Sequence, residues 1–338
     1  LMQKFISLVL VLLWCLTACD KPSAKFKPGF YHWKSIAQQN PEQINYLNNL
    51  GVDYLHYRFF DLSNEQGTIK PVGVANPDSS LLAQRDFAAC IFITNSCFLK
   101  IEAEETNTLA TKIVDKLNRQ LEKANVQEGW KELQIDCDWT AKSKEAYFTF
   151  LKQLKEKLPE NISLSATIRL HQVRYPNKTG IPPVDKGALM CYNMGDIQNI
   201  DETNSIYNTE TLASYLPKDI NYPLELDIAL PLFEWYLVYR DGKLHRIISD
   251  QTPEIFSQNK TLKNYTLDKD QYLSGHYLYK DDYIRKEAVD ISDLEDALNI
   301  INETKLKTSE YLLFYHLNET VTKKFPHAKL EALCAGKQ

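Results

Sequence analysis

The chain has 338 residues, 44% hydrophobic and 25% charged, with 39 Lys and Arg against 44 Asp and Glu for a formal net charge of −5. That balance is globular, outside the ranges of disordered or polytopic membrane chains, and without a basic tract it argues against nucleic acid as a partner. Nineteen Tyr and five Trp suit sugar- or peptide-binding surfaces and ordinary cores alike.

Taken in chain order, Lys4 is followed by an apolar run from Phe5 to Leu16, shorter than the roughly 20 residues that span a bilayer. A short apolar core behind a basic residue predicts a secretory signal. It closes on Leu16-Thr17-Ala18-Cys19, which resembles the lipobox of bacterial lipoproteins, where the cysteine is acylated and becomes the new N-terminus. The resemblance implies a signal peptide over 1–19, a lipid on Cys19, a tether over 20–28, and a membrane-anchored protein in the cell envelope, on the extracytoplasmic side. Apart from Cys15 and Cys19, the cysteines are Cys90, Cys97, Cys137, Cys191 and Cys334, none in a CxxC metal spacing. Cys137 and Cys191 lie in apolar runs and read as buried thiols. For Cys90 and Cys97 a disulfide and two free thiols both stay open.

Eight strand-like runs follow: 29–34, 52–58, 87–94, 132–138, 162–169, 188–192, 224–230 and 311–316. Helical periodicity occupies 41–50, 106–125, 142–158, 209–216 and 292–302, and is weak after the second, fifth and eighth strands. Strands alternating with helices over this length predict an α/β fold, a (β/α)8 TIM barrel spanning 29–338. Asp241-Gly242 between two alternating runs is a hairpin signal. It marks a small β-rich insertion over about 236–290, after the seventh strand, which either walls a cleft or is a surface excursion.

Barrel strands point alternate side chains inward and outward. In the fourth strand Leu133, Ile135 and Cys137 should face the helices and Gln134, Asp136 and Asp138 the interior. The fifth offers Ser165, Thr167, Arg169 and His171 inward, and the seventh Glu225 and Asp227. Barrel interiors are usually filled by branched apolar residues, and an unpaired buried charge costs several kcal/mol. These groups therefore form a paired structural network or line a solvated cleft at the C-terminal strand ends. His316, Asn318 and Glu319 close the eighth strand, as functional rim residues or as a turn and helix cap. Trp33, Tyr57, Trp139, Tyr192 and Trp235 lie near strand ends, where each is either packing or part of a sugar-stacking platform. No His-x-His or HExxH spacing is present, so neither a catalytic metal nor a cofactor is expected.

Leu133-Gln-Ile-Asp-Cys-Asp-Trp-Thr140 resembles the fourth-strand signature of glycoside hydrolase family 18, the chitinase-like barrels, written D-x-x-D-x-D-x-E. Met190-Cys-Tyr-Asn193 resembles that family's M-x-Y-D, and Ile228-Ala-Leu-Pro-Leu-Phe233 its seventh-strand segment ending in an apolar-Pro turn. Many members also carry an α+β insertion after that strand. The resemblance implies a carbohydrate ligand and a mechanism in which the substrate's own acetamido group is the nucleophile, an exception to the two-carboxylate scheme. It also exposes a departure: Leu133 replaces the first Asp, and Thr140 stands where the family has its proton-donating Glu. Either another carboxyl serves, with Asp136 and Asp138 central and Asp227 or Glu319 opposing, or the barrel binds a glycan without cutting it. A third possibility is an envelope scaffold with a structural polar interior. The substrate-binding candidates are Trp33, Tyr57, Trp139, Arg169, His171, Tyr192, Asn193, Trp235, His316 and Asn318, and the expected state is a monomer.

Overall fold

A computed structural model of the protein describes residues 26–34, 40–249 and 251–336, so the expected signal peptide and Cys19 lie outside the described residues. Among those described, no helix is long and apolar enough to cross a membrane. The strands in chain order are β1 Lys27–His32, β2 Tyr54–Glu65, β3 Thr68–Val72, β4 Asp86–Ile93, β5 Trp130–Asp136, β6 Ser163–Arg169, β7 Lys186–Met190 and β8 Leu226–Pro231. Then come β9 Glu234–Arg240, β10 Lys243–Ser249, β11 Asn264–Thr266, β12 Gln271–Leu273, β13 His276–Leu278, β14 Tyr283–Ala288 and β15 Thr308–Tyr315. Strands β1, β2, β4, β5, β6, β7, β8 and β15 pair in parallel, and β1 bonds to both β15 and β2, which closes an eight-stranded barrel. The expected (β/α)8 architecture is present, and β3 folds back antiparallel on the end of β2.

The helices form where caps and periodicity agree. In Pro41–Leu50 the Asn40 side chain accepts the N–H groups of Glu42 and Gln43, proline fills the first turn, and Gly51 at φ 71° ends the helix. Ala103–Ala124 buries Leu109, Ala110, Ile113, Val114, Leu117 and Leu121, one stripe at three- and four-residue spacing, and stops at Asn125. The three weak positions hold only short pieces: Ser79–Leu82 after β2, Leu170–Arg174 and Pro176–Thr179 after β6, and Glu319–Lys324 with His327–Cys334 after β15.

Strand alternation has the consequences expected of it. Leu133, Ile135, Leu164, Ala166, Ile168, Ile228 and Leu230 are fully buried in one continuous core with the helices. The opposite faces carry polar groups that bond to one another across the interior. Tyr31 Oη donates to Gln134 Oε1 at 2.8 Å, and Gln134 Nε2 to Ser165 Oγ at 3.3 Å. Nearer the N-terminal ends, the Lys186 ammonium lies 2.9 Å from Glu132 and 2.8 Å from Asp227. Tyr54 and Ser165 also donate to Glu132, and Ser309 to Asp227. Burial opposes the charge on Lys186, but the two carboxylates outweigh it and hold its proton above the ordinary lysine range. Glu225, expected to point inward, is exposed, because β8 begins one residue after it.

The insertion is a four-stranded antiparallel sheet, β10-β9-β14-β11, with the separate hairpin β12–β13. It has its own small core of Tyr236, Val238, Ile248, Phe256, Leu267, Leu273, Leu278 and Ile284. Cys90, Cys97, Cys137, Cys191 and Cys334 are all free and buried, so Cys90 and Cys97 are separate thiols.

Removing Lys186 strands two carboxylates whose side chains are only 1% exposed. Lys186→Met is expected to cost about 3–5 kcal/mol of stability, read from urea unfolding. A loss below about 1 kcal/mol would show that the ammonium does not balance the interior.

Candidate functional site

At the C-terminal end of the barrel, the segments following β5, β6 and β7 enclose a cleft of about 470 Å3. Asp138, Trp139 and Thr140 line it from the first, Arg169 to Gln172 from the second, and Met190 and Tyr192 to Met194 from the third, with Tyr215 completing the wall. Its position follows from the fold, since barrel ligands bind where the strand-to-helix segments gather.

The charged groups of the cleft are matched to each other. Arg169, the last residue of β6, donates through Nε to Asp138 Oδ1 at 2.6 Å and through Nη2 to Oδ2 at 3.0 Å. This two-pronged pairing is the strong form of an arginine–carboxylate contact. Among the described residues, Asp138 is the only carboxylate lining the cleft, and both its oxygens are engaged. One alternation below it, Asp136 is 6% exposed and accepts a hydrogen bond from Thr167 Oγ1 at 2.7 Å. Burial pushes its pKa up to about 6, against the smaller pull of Arg169 and Thr167.

Thr140 is exposed in the turn that enters helix Lys144–Lys155, with its backbone N–H donated to Ser143 Oγ at 2.9 Å. No acid stands at that position. Trp139 is anchored by Nε1–H to the Thr179 carbonyl at 2.9 Å. Tyr192 is 3% exposed and stacks on Tyr315 at 5.2 Å, and its hydroxyl has no hydrogen-bond partner among the described residues. Asn193 takes a left-handed backbone, φ 55°, and its N–H bonds to the Ile206 carbonyl.

Six of the residues singled out from sequence therefore line one cleft: Asp138, Trp139, Arg169, His171, Tyr192 and Asn193. Others lie elsewhere. Asp227 does face the interior, but as the second residue of β8 it sits near the N-terminal end with Lys186 and does not oppose Asp138. Glu319 is exposed at the start of its helix and pairs with Lys323 at 3.6 Å. Asn318 caps that helix by accepting the Val321 N–H at 2.8 Å, which is the cap role. Tyr57 is fully buried on the opposite face of β2 from His56, stacked on His32 at 4.6 Å, and belongs to the shell.

Trp33, Trp235 and His316 join an aromatic array at the barrel mouth without lining the cleft. Trp33 meets Tyr315 at 6.0 Å, His316 meets Tyr315 at 5.1 Å, and Trp235 meets Phe233 at 5.3 Å. Phe233 in turn contacts Tyr192 and Tyr315. Tyr315 and Phe233 are the hubs of this array.

The insertion supports the cleft without lining it. Arg285 and Glu287 of β14 form a buried ion pair at 2.8 Å. Arg285 donates to the carbonyls of Asn199 and Ile200, and Glu287 accepts from Ser205 N–H at 3.0 Å. They brace the segment whose other end supplies Asn193 and Met194.

His56, Glu132 and Asp227 bring potential ligand atoms within 4.8 Å of one another. The Lys186 ammonium already bridges the two carboxylates, supplying the positive charge a metal would.

The sequence matches no protein-family model and no curated protein. The eight-stranded parallel barrel is a fold shared with solved structures of low sequence identity. The chain is similar to the spore cortex-lytic enzyme SleL of Bacillus megaterium QM B1551, at 16% identity and TM-score 0.56, over 94% of this chain and 76% of that one. It is similar to catalytic domain 2 of the Ostrinia furnacalis Group II chitinase at 13% identity and TM-score 0.53, over 93% and 97% of the two chains. A third similar structure is the GH18 chitinase of Cycas revoluta in complex with (GlcNAc)3, at 14% identity and TM-score 0.52, over 92% and 99%.

Because Asp136 is protonated more readily in the folded protein than when unfolded, its contribution to stability is fully present below about pH 4. It is lost as pH rises through about 6, a total on the order of 3 kcal/mol. Asp136→Asn should abolish that decline, measured by thermal unfolding from pH 3.5 to 7.5. Parallel pH profiles for the two proteins would contradict the assignment.

Proposed function

We propose that this chain is a lipid-anchored, extracytoplasmic protein whose barrel binds an oligosaccharide or polysaccharide in the cleft beside Asp138 and Arg169, without cutting it by the chitinase mechanism. The observation carrying this reading is the state of the carboxyls: Thr140 stands at the donor position, and Asp138, the one carboxylate lining the cleft among the described residues, is paired twice with Arg169. A proton donor must reach the leaving oxygen, and both Asp138 oxygens are taken up by Arg169. The glycan is favoured by the barrel type, by the aromatic array at its mouth, and by the (GlcNAc)3 bound to the Cycas revoluta chitinase. The anchor and the address rest on the Leu16–Cys19 segment.

The expected outcome is saturable binding of chitooligosaccharides by calorimetry, with no cleavage detected by mass spectrometry at any pH from 4 to 8. Arg169→Ala should weaken that binding by about tenfold or more. One observation favours a second reading: Asp136 carries a pKa near 6, suited to general acid chemistry. Cleavage that declines above about pH 6 and vanishes in Asp136→Asn would replace the binding reading with a hydrolase.

For the anchor, radiolabelled palmitate should enter the wild-type protein and not Cys19→Ala. Equal labelling of both would remove it.

A further inference from the structure

A donor in the cleft wall is left over once the contacts above are made. Gln172 lies three residues past Arg169 in helix Leu170–Arg174, is fully buried, and lines the cleft. Its amide orientation is fixed by chemistry: Oε1 accepts the Arg169 backbone N–H at 2.8 Å. Turning the amide over would set its NH2 group against that N–H, donor against donor. Nε2 must therefore donate elsewhere, and among the described residues it finds no acceptor. Among the described residues lining the cleft, only Gln172 and Tyr192 carry a buried side-chain polar atom left without a partner. Buried donors are nearly always satisfied, by protein, water or ligand.

The surrounding charges decide what kind of acceptor fits. Arg169 is matched by Asp138. His171, the other lining group able to carry positive charge, is shifted below the ordinary histidine value by burial and then by Arg169. Asp136 lies beneath them. The lining thus offers neutral donors and no unmatched cation to an incoming anion.

We propose that Gln172 is a specificity-determining residue of the cleft, donating from Nε2 to a hydroxyl or carbonyl oxygen of an uncharged glycan, and that the cleft disfavours acidic glycans. This rests on the glycan-binding reading and narrows it to a substrate class. Sequence gave no signal for it, since a lone glutamine after a strand reads as an ordinary helix residue.

The test uses the intact protein with a chitooligosaccharide as the neutral probe and an oligogalacturonide as the acidic one. In 15N–1H spectra the Gln172 side-chain amide signals, assigned by their absence in Gln172→Glu, should move on titration with the neutral probe. Gln172→Glu keeps the oxygen that caps the Arg169 N–H and deletes the donor, and Gln172→Met deletes both. Each should bind the neutral probe about tenfold more weakly. The wild type should bind the acidic probe at least about tenfold more weakly than the neutral one. Amide signals that stay in place at saturation overturn the donor role, whatever the variants' stability, and so does wild-type affinity in Gln172→Glu. Equal or tighter binding of the acidic probe overturns the charge preference. A wild type that binds no glycan brings down the binding reading, and the donor with it.

Discussion

Charge placed inside a barrel has to be matched within the barrel, because water is not there to do it. The alternation of β5, β6 and β8 sends carboxylates, hydroxyls and a guanidinium inward, and the molecule is organised around pairing them. At the N-terminal end Lys186 answers Glu132 and Asp227 together. At the C-terminal end Arg169 answers Asp138. Asp136, between the two levels, accepts from the neutral Thr167 hydroxyl, and burial raises its pKa to about 6. The positions of these three solutions along the barrel axis separate a structural polar core below from a ligand-accessible cleft above.

That separation bears on chemistry. The chitinase-type mechanism implied by the resemblance of Leu133–Thr140 would need an acid at position 140. Here the position is occupied by a threonine that takes part in the turn before the next helix. The neighbouring aspartate is held in a fork by arginine, a geometry that fixes both side chains and presents them as a rigid polar ledge. Around it the other cleft features remain: a buried tyrosine whose hydroxyl has no partner among the described residues, an anchored tryptophan, and a loop braced from the insertion by the Arg285–Glu287 pair. This arrangement is what the proposed role, recognising a sugar without protonating a leaving group, rests on.

Much of this was legible in the sequence, and the reasons differ by element. Strand period and helix caps are local properties, so the barrel, helix Pro41–Leu50 and the Asp241-Gly242 hairpin could be read directly. Alternation also told which side chains of β5 and β6 face inward. It could not tell how deep they lie, because depth depends on where a strand begins. Asp227 and Glu225 show this: β8 begins at Leu226, so one is near the floor and the other outside. Lys186 was hidden for the same reason, since Lys-Gly before an apolar run resembles loop, whereas β7 begins there. Tyr57 was misplaced by its nearness to a strand end, though the alternation from His56 would have sent it outward. The Asp138–Arg169 pairing joins residues 31 apart, and no local pattern announces it.

The proposed role of the cleft at Asp138 and Arg169 is to hold a glycan intact. The most direct measurement is a crystal structure of the wild-type protein grown with a chitooligosaccharide of four or more units. An uncut chain is expected in the cleft, over Trp139 and Tyr192, with the Arg169–Asp138 pair still closed. A cleaved product there, or an oligosaccharide seated on another surface with the cleft empty, would contradict it.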